Sequence, residues 1–120
     1  VGYKLYREVR DFAPAKWTAS MRLVALMIAD AAKEESRIAI IARPLLRART
    51  GLRENGLRDA LYHLAKDGYE FRIPRGKDKR GQPVYAARGY ETDYQVPDMV
   101  SAGMASITAA GDGVPVEKPP

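Results

Sequence analysis

The segment from Thr50 to Gly68 constrains this chain most. Leu57, Ala60, Leu61 and Leu64 recur at helical spacing, so one stripe of a helix must be buried. Gly68 follows the last apolar turn, where a glycine at positive φ ends a helix. Thr50-Gly51-Leu52 reads as a tight turn that delivers the chain from a preceding helix. That helix begins at Arg43-Pro44, because proline is tolerated in a first turn whose N–H groups have no partner. It runs to about Arg49 and offers Leu45 and Leu46 to a core. Beyond Gly68, Phe71 and Ile73 alternate with polar residues, as in a half-buried strand. A polar loop from Arg75 to Gly81 and a second strand, Pro83-Val84-Tyr85-Ala86, complete a hairpin with a basic tip.

In this order the elements resemble a winged helix-turn-helix DNA-binding domain of the bacterial, phage and plasmid regulator type. Leu46, Gly51, Leu52, Leu57, Ala60, Leu61, Leu64 and Gly68 carry the resemblance, with the basic hairpin behind them. It implies an α+β fold with a three-helix core, a short strand and a two-stranded β-hairpin wing. The chain departs from the family pattern at Arg47, where a small residue usually follows the leucine. It departs again at Arg53, where the family often has a serine, aspartate or threonine as helix cap. The stretch from Ala60 to Lys66, with Pro83-Val84-Tyr85, also resembles winged helices that bind left-handed DNA. Those set a lysine, an asparagine and a tyrosine four apart. Here only Tyr62 matches, and Glu54 and Arg58 occupy the other places.

Upstream, Thr18 is the expected N-cap of a helix from Ala19 to about Lys33. Its apolar stripe is Leu23, Val24, Met27, Ile28 and Ala31, with Leu26 beside it. Arg37 to Ala42 is β-branched and apolar, hence a short strand, which the resemblance pairs with the wing. In residues 1–17, Tyr3, Tyr6, Val9 and Phe12 recur every three residues, which fits a short helix ended by Pro14. The same residues also fit an extended arm that dimerises or touches DNA. Residues 18–96 are then the winged-helix domain and 97–120 a flexible tail, with a short helix from Met99 to about Ala110 capped by Asp98. The first residue is Val1 rather than methionine, as expected of a trimmed chain or a piece of a longer protein.

At 120 residues the chain suffices for one domain with a core of its own. Without cysteine it has neither disulfides nor thiolate metal sites, and its one histidine, His63, argues against a histidine-based site. No apolar run approaches the ~20 residues that span a bilayer, and no stretch reads as a signal peptide. No nucleophile–base set, phosphate-binding glycine loop or close carboxylate pair has supporting context, so catalytic residues, a metal and a cofactor are not expected. Charge is unevenly spread. Residues 43–80 carry eleven Lys/Arg against five Asp/Glu, whereas residues 81–120 carry two against five. Clustered basic residues favour phosphate binding, and a solvated basic surface is the plainer alternative.

The functional expectation is sequence-specific binding of double-stranded DNA through a recognition helix at about 54–67 and a basic wing at 75–82. The outward face of the helix is expected to hold Glu54, Asn55, Gly56, Arg58, Asp59, Tyr62, His63 and Lys66. Asparagine pairs with adenine N6/N7 and arginine with guanine O6/N7, which gives Asn55 and Arg58 base-reading chemistry. Tyr62 suits a phosphate or a stacked base. Arg47, Arg49 and Arg53 lie beside the turn within reach of the backbone. Arg75, Lys77, Lys79 and Arg80 suit phosphates or the minor groove. Glu54 and Asp59 oppose phosphate, and Glu54 stands four residues before Arg58, at pairing distance on a helix. The expected role is a transcriptional regulator in the cytoplasm, associated with the nucleoid, and a homodimer would match two-fold operators. The alternatives are a winged-helix protein–protein interaction module, which the two acids suit, and the DNA-binding part of a phage or plasmid replication initiator.

Overall fold

The computed structural model describes residues 3–85 and 93–103. In chain order the elements are α1 (Tyr3–Phe12), α2 (Ala19–Ala31), β1 (Ile38–Ile40), α3 (Arg43–Thr50), α4 (Glu54–Lys66), β2 (Gly76–Lys77), β3 (Pro83–Val84) and β4 (Asp93–Gln95). A helical turn covers 99–103. The result is an α+β fold, with helices packed together and two small antiparallel sheets.

α2 is the central helix and packs against α1, α3 and α4. Thr18 starts it, as its side chain accepts from the Met21 N–H at 3.2 Å. Its buried face is Met21, Val24, Ala25, Ile28 and Ala29. Leu23 and Met27 of the expected stripe are only partly buried, because the fully buried alanines place the stripe one position over. The helix stops at Ala31, and Ala32 already bridges to Ala39 of β1.

α1 is helical and buries Leu5 and Val9, spaced by four. The three-residue spacing read from the sequence misplaces this face. Tyr3 is 66% exposed and Phe12 54% exposed. In α3, Leu46 is buried but Leu45 is 45% exposed, so only one leucine of the pair serves the core. Thr50 closes this helix by donating from Oγ1 to the Leu46 carbonyl at 2.9 Å, and Gly51 follows at φ 73°.

α4 buries Leu57, Ala60, Leu61 and Leu64, the four residues of the sequence stripe. Its end is fixed by two backbone bonds around Gly68 at φ 95°. Gly68 N–H donates to Ala65 at 2.9 Å and Tyr69 N–H donates to Leu64 at 2.9 Å, an arrangement that only a left-handed residue completes. Trp17 locks this end in place. Its indole N–H donates to Asp67 at 3.0 Å, and its ring meets Tyr69 edge-on at 5.1 Å.

The sheet differs from the expected pairing. β1 pairs with β4, beyond the hairpin, in the register Ile38 with Gln95, Ala39 with Tyr94 and Ile40 with Asp93. On the other side of β4, Arg72 bridges to Tyr94, and Gln95 N–H donates to the Phe71 carbonyl at 2.8 Å. β4 therefore lies between β1 and the Phe71–Arg72 segment. The expected strand around Phe71 and Ile73 shrinks to this bridge, because Pro74 cannot donate to a ladder. The hairpin proper is short, β2 with β3, and the Ala86 end of its expected second strand lies outside the described residues.

Arg37 ties both ends of the described chain together. It is a non-glycine residue at φ 62°. Its guanidinium donates to Glu8 at 2.6 Å, to the Val96 carbonyl at 2.9 Å and to the Pro97 carbonyl at 2.7 Å. Glu8 accepts in turn from the Met99 N–H at 3.0 Å, and Met99 is buried. Asp98 caps the turn at 99–103 by accepting from Ser101 N–H. Residues 97–103 are thus packed onto the same core as α1, and the remainder of the expected tail helix lies outside the described residues.

Two glycine substitutions should move stability in opposite directions. A Cβ at Gly68 meets no atom within 4 Å but must sit at positive φ, so Gly68→Ala should cost about 1 kcal/mol. At Gly56 a Cβ would rest 3.6 Å from Leu52 in an ordinary helical conformation, so Gly56→Ala should add up to about 1 kcal/mol. Urea unfolding of the two variants checks the signs.

Candidate nucleic-acid interface

The geometry around α4 starts from a buried charge. Arg43 is only 1% exposed, an environment that an arginine tolerates only when paired. Its Nε donates to Glu54 Oε2 at 2.8 Å and its Nη1 donates to the Tyr94 hydroxyl at 3.4 Å. The first residue of α3, the first residue of α4 and the middle of β4 therefore meet at one point. Glu54 also lies 3.9 Å from Arg47 Nε.

This contact corrects two expectations. Glu54 is not part of the outward face, since its carboxylate turns back toward α3. Arg58 does not pair with Glu54 either. Its Nη2 donates to Asn55 Oδ1 at 3.1 Å. The poor cap foreseen at Arg53 is real, as no side chain accepts from the start of α4. A carboxylate in the first turn, on Glu54, offsets it in part through the helix dipole.

The exposed side of α4 holds Asn55, Arg58, Asp59, Tyr62, His63 and Lys66, while Gly56 is partly buried. Tyr62 is 52% exposed and meets the His63 ring edge-on at 5.4 Å. His63 Nδ1 lies 2.7 Å from the Asp59 carbonyl. A carbonyl only accepts, so Nδ1 carries the hydrogen and Nε2 stays available on the surface. His63 is exposed, as expected of the outward face.

Beside the turn, Arg47, Arg53 and Asn55 border one open concavity of about 630 Å³, floored by Gly51 and Leu52. Arg47 is partly buried and its Nε has no hydrogen-bond partner, whereas Arg49 and Arg53 are exposed. The larger residue at Arg47 borders this open concavity.

The hairpin carries Arg75, Lys77, Lys79 and Arg80, all exposed. Its tip is built rather than loose. Asp78 Oδ1 accepts from the Arg80 and Gln82 N–H groups, each at 2.9 Å, and Gly81 at φ 81° closes the turn onto the Asp78 carbonyl. The Asp78 carboxylate is thereby engaged by backbone, not by the neighbouring cations.

The base of the hairpin is held by a cluster with no counterpart in the sequence-based expectations. Glu70 accepts from the Arg72 guanidinium at 2.9 Å through each oxygen and from the Tyr85 hydroxyl at 2.8 Å. The Arg72 guanidinium also lies over the Tyr85 ring at 4.1 Å. Burial works to raise the pKa of Glu70. The hydrogen bonds from Arg72 side chain and backbone and from Tyr85 outweigh it, and the carboxyl titrates below its ordinary value. Burial, with Glu70 adding to it, pushes the Tyr85 phenol up. The alternation Glu70-x-Arg72 is the one local sign of this cluster, since residues two apart share a strand face. Arg43 with Glu54 has no local sign, being a contact between two helices eleven residues apart.

Together these contacts sort the charges of residues 43–80. Of five acids, Glu54, Asp67 and Glu70 are engaged by partners in the fold, Asp78 by the backbone of its own exposed turn, and only Asp59 has a carboxylate without a partner among the described residues. Arg49, Arg53, Arg58, Lys66, Arg75, Lys77, Lys79 and Arg80 are exposed and form no ion pair among the described residues. No family model, no curated protein and no solved structure matches the chain. Among the described residues no helix is long and apolar enough to cross a membrane.

The Glu70 cluster sets a pH dependence. A carboxyl with a lowered folded pKa stabilises fully above its unfolded pKa, and that contribution disappears as pH falls through the folded value. Glu70→Gln should therefore be less stable than the parent at neutral pH, and the gap should narrow in the acid range. Urea midpoints of both proteins from pH 7 down to pH 3 measure it.

Proposed function

We propose that this chain is a winged helix-turn-helix protein that binds double-stranded DNA, with α4 in the major groove and the 75–82 hairpin as its wing. One observation carries the reading: within residues 43–80 Glu54, Asp67 and Glu70 are tied to partners in the fold and Asp78 to its own turn, while eight cations are exposed without an ion pair among the described residues. A surface sorted in this way presents phosphate with positive charge and little opposing charge, which is the electrostatic basis of duplex binding. The element order supports it. A helix pair joined at Gly51 is followed by a hairpin inserted between Arg72 and β4, the two segments that adjoin at Tyr94.

In this reading Arg49 and Arg53 hold the backbone beside the turn, with Arg47 behind them, and Arg75, Lys77, Lys79 and Arg80 hold it at the wing. Asn55, Arg58 and Tyr62 face the bases. The protein acts as a transcriptional regulator in the cytoplasm on nucleoid DNA, and two copies serve a two-fold operator. A role as the DNA-binding part of a replication initiator uses the same surface. A protein-interaction role for α4 is favoured by the exposed Asp59 and Tyr62, and salt separates it from DNA binding.

Binding to a labelled random-sequence duplex over a salt series tests the proposal. Affinity should fall steeply with salt. With Arg75, Lys77, Lys79 and Arg80 changed to alanine, the slope of log K against log salt should flatten by about 3 to 4, near 0.9 for each phosphate no longer neutralised. No binding by the parent at low salt would overturn the proposal and turn attention to a protein partner for α4.

A further inference from the structure

The outermost line of α4 runs through Asn55, Asp59, Tyr62 and Lys66, spaced four, three and four residues apart. Asp59 is the anomaly on it. Its carboxylate is exposed, and no hydrogen bond or ion pair engages it among the described residues. Its neighbour Arg58 does not neutralise it, because that guanidinium is turned to Asn55 Oδ1 at 3.1 Å. A free carboxylate in the middle of a surface otherwise rich in cations weakens binding to every duplex that offers it only acceptors.

We infer that Asp59 is the specificity-determining residue of α4 and selects a cytosine in the major groove; this rests on the duplex-binding proposal above. The chemistry of the groove decides the base. Guanine presents N7 and O6, and thymine presents O4, all acceptors that repel a carboxylate. Adenine has an N6 amino donor, but it stands between its own N7 and the O4 of its paired thymine. Cytosine N4 is a donor whose outer neighbour on the base is a C–H, so a carboxylate oxygen approaches it without meeting an acceptor on that side.

The Asn55–Arg58 contact completes the assignment. A guanidinium only donates, so Asn55 must point Oδ1 toward Arg58. Bidentate reading of adenine needs Oδ1 and Nδ2 together, and here one lone pair of Oδ1 already accepts from Arg58, which ties the Asn55 amide to that guanidinium. Asn55 is thereby a positioning residue for Arg58, whose remaining N–H groups suit guanine O6 and N7. Arg58 and Asp59 are consecutive, so guanine and cytosine recognition fall on the same or adjacent base pairs. The preferred site therefore has a G·C pair under the middle of α4.

A duplex library with a random core, enriched on the full chain and followed by affinities for single-base changes, tests the inference. The parent should enrich a fixed cytosine and lose about tenfold in affinity or more when that pair is changed to A·T. Asp59→Asn and Asp59→Ala should both keep binding and should bind the altered duplexes more tightly than the parent does, so that discrimination collapses by gain at wrong sites. A purely structural role would instead weaken all duplexes alike, and that result would overturn the assignment. So would an unchanged cytosine preference in both variants. If the parent binds no duplex at low salt, the duplex proposal itself falls and this inference with it.

Discussion

The contact between Arg43 and Glu54 is the constraint on which the rest of the arrangement depends. A guanidinium buried to this degree is tolerated only when it is paired and hydrogen-bonded, and breaking a buried pair is strongly destabilising. The pair therefore forces the start of α4 to lie against the start of α3, while Gly51 at φ 73° supplies the reversal between them. The Tyr94 hydroxyl adds β4 to the same point, so the sheet and the helix pair share one fixed reference. Core packing by Leu46, Leu57 and Leu61 provides cohesion, but it is non-directional. The ion pair sets the direction.

The same economy recurs elsewhere in the fold. Glu8 holds Arg37 and the Met99 N–H, Asp67 holds Trp17 and Lys16, Glu70 holds Arg72 and Tyr85, and Asp78 holds its own turn. Each acid is placed where it organises backbone or a neighbouring element. Within residues 43–80 the exposed charges are mainly positive, because Glu54, Asp67 and Glu70 are only partly exposed and are tied to partners in the fold. Fold and proposed function are connected through this sorting: the contacts of Glu54 and Glu70 that position α4 and the hairpin base also turn those two carboxylates away from the exposed cations. Asp59 stands outside the scheme, which is why it draws a separate explanation.

Much of this was legible in the sequence where the signal is local. The stripe Leu57, Ala60, Leu61 and Leu64, the cap at Thr18, the glycines at 51 and 68 and the cap at Asp98 each depend on neighbours within a few residues. The misreadings arise where a choice is settled at long range. Whether Leu45 or Leu46 faces in, whether Tyr3 or Leu5 does, and whether Glu54 turns to Arg58 or to Arg43 depends on elements distant in sequence. The pairing of β1 with β4 rather than with the hairpin is of the same kind, since the strand at 93–95 lies more than fifty residues on. For the candidate site, residue types were readable and their partners were not. The exposed cations were expected individually, whereas the removal of the acids from among them appears only with the fold.

α4 and the hairpin are proposed to act together as one duplex-binding surface. Amide NMR of the labelled chain, titrated with a short random-sequence duplex at low salt, tests this most directly. Shifts concentrated at Arg49–Lys66 on the exposed positions and at Arg75–Gln82, with α1 and the turn at 99–103 unmoved, are the expected result. Shifts confined to α1 and 99–103, or none at all, would contradict it.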